Sequence, residues 1–173
     1  MTLRPMRRAE RACARDEALA VLDAAPFATV ATVDEDGMPY GVPLSFVRCG
    51  DVLYFHTTNE GGLKAGCFRR DARACATAVV DVQAFFFDGD FSTTYRSAMA
   101  FGRMREVEDA VERKRALVDL CLKYLPARKH DIGRAMQAEG SRTTVWALDV
   151  EELTGKANLQ PSDADSQARQ PCA

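Results

Sequence analysis

At 173 residues, 47% of them hydrophobic, the chain can build one proper core, and its formal net charge of −2 argues against nucleic acid as a partner. No apolar run is long enough to span a bilayer and no signal-peptide core stands at the amino terminus, so a cytoplasmic protein without a membrane partner is expected. Six cysteines stand singly, with no C-x-x-C pair, and two histidines are too few for a protein-only metal site; buried, reduced thiols are expected, with Cys172 on a tail.

Residues 10–25 predict a helix, with Ala14, Ala18, Val21, Leu22 and Ala25 at helical spacing and Pro26 as its stop. Residues 27–33 (FATVATV) read as a strand that is apolar on both faces. After the Asp34–Gly37 turn, residues 38–47 alternate strictly. Met38, Tyr40, Val42, Leu44 and Phe46 make a core face, and Pro39, Gly41, Pro43 and Ser45 make the other. Two prolines of one parity remove ladder donors on one side. That pattern fits a proline-blunted edge with nothing bound, and equally a strip along which a flat ring system lies against free backbone groups.

A third strand, 52–57, leads through Thr57, Thr58, Asn59 and two glycines into a short helix at 63–70. Hydroxyls, glycines and Lys64 just ahead of a helix suit an anion, because uncapped N–H groups and the positive helix end attract phosphate. A polar strand-to-helix loop is also common in itself. Residues 74–82 form an apolar strand, and 83–92 read as an aromatic loop, with Phe85, Phe86, Phe87 and Phe91 around Asp88-Gly89-Asp90. Such a loop either covers a ring-shaped ligand or a partner subunit, or forms a small local core.

The strand at 93–105 begins polar and ends apolar, as if its first half faced a site, and Arg96 suits either a phosphate or a neighbouring acid. Asp109 and Glu112 make a capping box, followed by Val111, Val118, Cys121, Leu122 and Leu125 as the buried stripe of a helix that Pro126 stops. A helix at 130–139 and a last strand at 143–153, with the lone Trp146, complete a domain of residues 1–156; residues 157–173 read as a disordered tail. Elements alone give mixed α+β.

The pieces A-T-V-D-E-D-G-M-P-Y-G-V-P (31–43), Y-F-H-T (54–57), G-L-K (62–64), T-T-Y-R-S (93–97), F-G (101–102) and E-E-L-T-G-K (151–156) together resemble the pyridoxamine 5′-phosphate oxidase-like, FMN-binding split-barrel superfamily. The branch containing the nitroimidazole-resistance reductases is the nearest in pattern, over residues from about 15 to 156. The resemblance implies an α+β, mainly β fold: a six-stranded antiparallel split β-barrel with flanking helices, paired as a homodimer with FMN at the interface. It assigns flavin-ring contacts to the backbone of Val42, Pro43 and Leu44. Phosphate and ribityl contacts fall to Thr57, Thr58 and Lys64, with His56 and Leu63 beside them, and further contacts to Tyr95, Arg96 and Ser97.

Two departures matter. The authentic oxidase has an arginine where Val42 stands and a lysine near Val47, so oxidation of pyridoxamine phosphate is not expected. The nitroimidazole-resistance branch often has G-H-K where this chain has Gly62-Leu63-Lys64, and Leu63 offers no acid, base or ligand. Three readings follow. The first is an FMN-dependent oxidoreductase exchanging hydride between a small-molecule substrate and an electron donor at the flavin. The second is a flavin- or haem-binding protein without turnover, in storage or sensing, with His56 as the haem ligand. The third is a dimer that has lost its cofactor, which the retained Lys64 and threonines oppose.

Overall fold

The computed structural model describes residues 5–159. A single 3-10 turn at Ala9–Arg11 precedes a two-residue strand, β1 (Ala12–Cys13), and helix α1 (Arg15–Ala24). The helix therefore begins later than residue 10. Ala12 and Cys13 are taken up by pairing with Lys156 and Gly155, and the Glu17 carboxylate accepts the Ala14 N–H at 2.9 Å, which fixes the first turn. Long-range pairing overrides the local helical spacing.

Six strands were expected and all six are present, but the stretch 38–47 is broken. β2 (Ala28–Val33) pairs with β3 (Pro39–Leu44), whereas β4 (Phe46–Cys49) pairs with β5 (Val52–Thr58). Ser45 is the corner between them. β6 (Arg73–Phe87), β7 (Asp90–Glu106) and β8 (Thr143–Asn158) complete an antiparallel sheet ordered β3-β2-β6-β7-β8-β5-β4, with β1 added against β8. The sheet is thus eight-stranded and not closed by hydrogen bonds. Its two edge strands, β3 and β4, are consecutive in the chain, so the two ends meet covalently at Ser45. This is the split of the barrel.

The corner also corrects the expected face. Phe46 is fully buried and Val42 and Leu44 pack against the core, but Met38 is 62% exposed at the start of the edge. Pro39 and Pro43 lie opposite Val33 and Thr29 on an edge strand, where a missing N–H costs no ladder bond if it points away from β2. β2 has one core face, with Ala28 and Val30 buried and Thr29 and Ala31 outward.

The aromatic stretch 83–92 is no loop. β6 and β7 run on as a hairpin through Phe85↔Ser92 and Phe86↔Phe91, turning at Asp88-Gly89, where both residues have positive φ (50° and 79°). A bulge between Val80 and Gln83, with Asp81 at φ 56°, interrupts the ladder at the base of the hairpin. Phe86 and Phe91 meet edge to face at 4.9 Å and remain 61% and 84% exposed.

Helix α2 is Leu63–Arg70, α3 is Ala110–Tyr124 and α4 is Ile132–Glu139, the last preceded by a 3-10 segment at Pro126–Asp131. Asp109 caps α3 by accepting from the Val111 and Glu112 N–H groups. The expected capping box is only half made, because the Glu112 carboxylate is drawn to Arg105 (2.6 Å) and Tyr54 (2.8 Å). The buried stripe of α3 is also displaced: Ala116 and Leu120 are buried, while Val111 is 76% and Leu125 63% exposed. β8 continues to Asn158, past the expected start of a tail at 157; the remainder of that tail, with Cys172, lies outside the described residues. Cys13, Cys49, Cys75 and Cys121 are half-buried free thiols, and Cys67 alone among the described cysteines is buried. Among the described residues, no helix is long and apolar enough to cross a membrane.

Candidate functional site

The strand-to-helix segment is arranged for an anion. β5 ends at Thr58, and the chain passes through Gly61 and Gly62 at φ 87° and 106°, values that side-chain-bearing residues rarely adopt. α2 then starts at Leu63 with no side-chain cap on its free N–H groups and no acid in its first turn. Lys64 forms no ion pair among the described residues. Asn59 fastens the loop, its N–H donating to Arg142 O (2.9 Å) and its side-chain amide to Ser141 O (3.0 Å). The result is an uncapped, locally positive helix end.

The two threonines do not act together there. Alternation along β5 sends Thr57 inward, where its hydroxyl accepts the indole N–H of Trp146 at 3.2 Å and donates to Thr58 O at 3.1 Å. Thr58 and His56 point to the other, exposed face. Leu63 is 56% exposed at the first position of α2. Partial desolvation, and after it the positive charge of Lys64, lower the pKa of His56 and so favour its neutral form.

His56 lines a cavity of about 760 Å³ between the β4–β5 side of the sheet and helices α3 and α4. Leu117, Leu120, Ile132, Ala135 and Met136 make its walls apolar, and Ser45 brings the Val42–Leu44 run to its edge. At one side Asp131 sits between Arg128 (2.7 Å) and Arg134 (2.9 Å). Tyr124 pins the corner: its hydroxyl accepts the Phe46 N–H at 2.9 Å and reaches the carbonyls of Phe46 and Pro26. No local signal in the sequence points to Tyr124 or to the Arg128–Asp131–Arg134 cluster. Their roles arise only where α3 and α4 cross the strand corner.

Tyr95, Arg96 and Ser97 belong to a different place. Tyr95 and Arg96 line a second depression with Asp81, Val82 and Leu159, which shares no lining residue with the first. Arg96 is engaged by Asp81, Nε to Oδ2 at 2.6 Å, and Ser97 donates to Lys156 O at 3.3 Å. One chain therefore presents the expected cofactor residues in two separate groups.

Residues 14–157 match the family described as pyridoxamine 5′-phosphate oxidase. The chain belongs to that family. Among solved structures, this family member is similar to a candidate 5-nitroimidazole antibiotic resistance protein from Bacteroides thetaiotaomicron, at 24% identity and a TM-score of 0.71 over 84% of this chain and 86% of that one. It is similar to the flavocytochrome Anf3 from Azotobacter vinelandii, at 24% identity and a TM-score of 0.77 over 96% and 79% of the two chains. It also resembles the FAD and heme binding protein from Mycobacterium smegmatis, at 26% identity and a TM-score of 0.73 over 91% and 78%. No curated protein sequence matches. The two likenesses at 24% support the split-barrel fold, not an activity.

Proposed function

We propose that this family member is a flavoprotein that binds FMN and works as an oxidoreductase on a small molecule. The observation that carries the reading is the α2 end: paired positive-φ glycines, free helical N–H groups and Lys64 with no carboxylate partner among the described residues. These groups suit a terminal phosphate, to which Lys64 adds a charge-assisted contact. The edge backbone of β3 around Val42, Pro43 and Leu44 suits a flat ring system, since it has no strand neighbour on one side. The names of two neighbours, one binding FAD and heme and one a flavocytochrome, support a flavin as the class of ligand.

When bound, a flavin supplies hydride acceptance and donation. The chain's own contribution is positional. The glycine turn and Lys64 hold the phosphate end, and the β3 edge orients the ring. The neutral His56 stands next to Lys64 without a carboxylate partner, which leaves no acid–base pair at this end among the described residues. The separation of Tyr95, Arg96 and Ser97 from this end favours a homodimer in which each chain completes the other's site. Visible spectroscopy of the purified protein, with mass identification of what heating releases, tests the reading. Flavin absorption and release of FMN are expected; a colourless protein that takes up no FMN on titration overturns it.

A further inference from the structure

Helix α4 stands over a gap that the protein does not fill. Ile132, Ala135 and Met136 line the cavity, yet none of the eight residues of α4 is buried. Polar contacts hold the helix at its ends. Before its start Asp131 pairs with Arg128 and Arg134. Beyond its end Arg113 donates to the carbonyls of Gly140 and Thr143, and Asn59 donates to those of Ser141 and Arg142. A short helix with a solvated apolar stripe lacks the packing from which helices in proteins draw most of their stability. Leu117 and Leu120 of α3 face the same space, and its volume, about 760 Å³, lies in the range of pockets that enclose a whole organic ligand, roughly 300–1,000 Å³.

The polar groups of the lining define what fits. Arg128 and Arg134 are balanced there by Asp131 and Glu139, so neither an anion nor a cation finds an unmatched partner, and burying an unpaired ion is costly. The Tyr124 and Thr143 hydroxyls are committed to backbone groups, Phe46 N–H and Phe46 O for the first and Glu139 O for the second. The Ser45 hydroxyl and the His56 imidazole line the cavity without a hydrogen-bond partner among the described residues. Ser45 directly follows the Val42–Leu44 run, and His56 is close enough to Lys64 to feel its charge, so the cavity borders both ends of the site proposed for the flavin.

We propose that the cavity between α3, α4 and the Ser45 corner is the substrate pocket, and that the substrate is an uncharged, largely apolar organic molecule whose polar atom meets Ser45 and His56. Calling this ligand a substrate rests on the flavin reading; the pocket and the class of molecule it takes do not.

Phenylnaphthylamine, an uncharged dye that fluoresces in apolar surroundings, is titrated into the full chain with and without FMN. Anilinonaphthalene sulfonate, the same frame with one negative charge, is the control. One phenylnaphthylamine per chain should bind, also at saturating FMN, and the sulfonate should bind at least about tenfold more weakly because its charge finds no free partner. His56→Leu should weaken the uncharged dye about two- to tenfold, the worth of one neutral hydrogen bond. Ala135→Trp and, independently, Met136→Trp fill the cavity and should exclude the dye while FMN uptake is retained, with unchanged circular dichroism as proof of folding. Dye binding unchanged in both folded variants, dye displaced by FMN, or the sulfonate binding as tightly as the uncharged dye would each overturn the assignment. So would wild-type protein that takes FMN and excludes the dye, the result expected if a second copy of the chain filled the cavity. Dye uptake with these preferences by protein that takes no FMN would uphold the pocket and strike the flavin reading alone.

Discussion

The indole N–H of Trp146 donates to the Thr57 hydroxyl at 3.2 Å, inside the core, and this bond removes Thr57 from the surface on which Thr58 and His56 stand. Two adjacent threonines therefore have unrelated duties. Thr57→Val is expected to strand a buried donor and lower stability by about 1–3 kcal/mol, read from urea unfolding. FMN affinity should stay at the wild-type value. A tenfold loss of FMN affinity in a folded variant would return Thr57 to the phosphate site.

Lys64 carries the opposite expectation. Lys64→Ala should weaken FMN by roughly ten- to a hundred-fold, the loss of a charge-assisted contact of about 1.5–3 kcal/mol. Riboflavin, which lacks the phosphate, should bind the variant and wild type alike. Calorimetric titration of both ligands checks this, and an equal loss for riboflavin would place Lys64 away from the phosphate.

Tyr54 fastens β5 to α3. Its hydroxyl donates to Glu112 at 2.8 Å, and Arg105 bridges the same carboxylate and Asp149 (2.6 and 2.8 Å). Burial and the Glu112 carboxylate push its pKa up to about 12. The fold thus favours the neutral phenol. The stability this contributes is complete below the unfolded value of 10.0 and is lost as pH rises through about 12. Unfolding free energies compared between pH 9 and 12 should fall more steeply for wild type than for Tyr54→Phe; parallel curves would show that the phenol is not held.

Gly102 sits where the β7–β8 register shifts, and a Cβ there would come within 2.0 Å of Asp149 O. The neighbour is backbone and cannot swing aside. Gly102→Ala should cost about 1–3 kcal/mol or more through forced displacement of β8. Thermal melting checks this; an unchanged Tm would mean that the two strands part freely.

The outer face of the sheet carries an uncharged patch where β3, β2, β6 and β7 lie side by side. Thr29 and Ala31 of β2, Pro43 of β3 and Val79 of β6 face outward, and Met99 of β7 is 38% exposed beside them. Such a patch suits a second copy of the chain. Sedimentation should give twice the chain mass, and Met99→Glu should shift the chain to monomer with loss of bound flavin. A wild-type monomer with full flavin content would sink the homodimer.

Alternation and turn chemistry located five of the six expected strands and the helices α1 to α4, with shifted ends, because each segment's own pattern of burial sets its period. The glycines and Lys64 ahead of α2 were legible for the same reason, since a helix start is a local event. Three things were not. The alternation of 38–47 runs unbroken through Ser45, and only the competition of β2 and β5 for the two halves turns the chain there. The residues 83–92 have no period that distinguishes loop from strand, so their hairpin depends on pairing with each other across the Asp88-Gly89 turn. Last, the cavity with His56 on one wall and Arg128 and Arg134 at its side joins residues more than seventy positions apart. No local spacing encodes such a meeting. It exists because the covalent corner at Ser45 and the helices packed over it bring those side chains to one place.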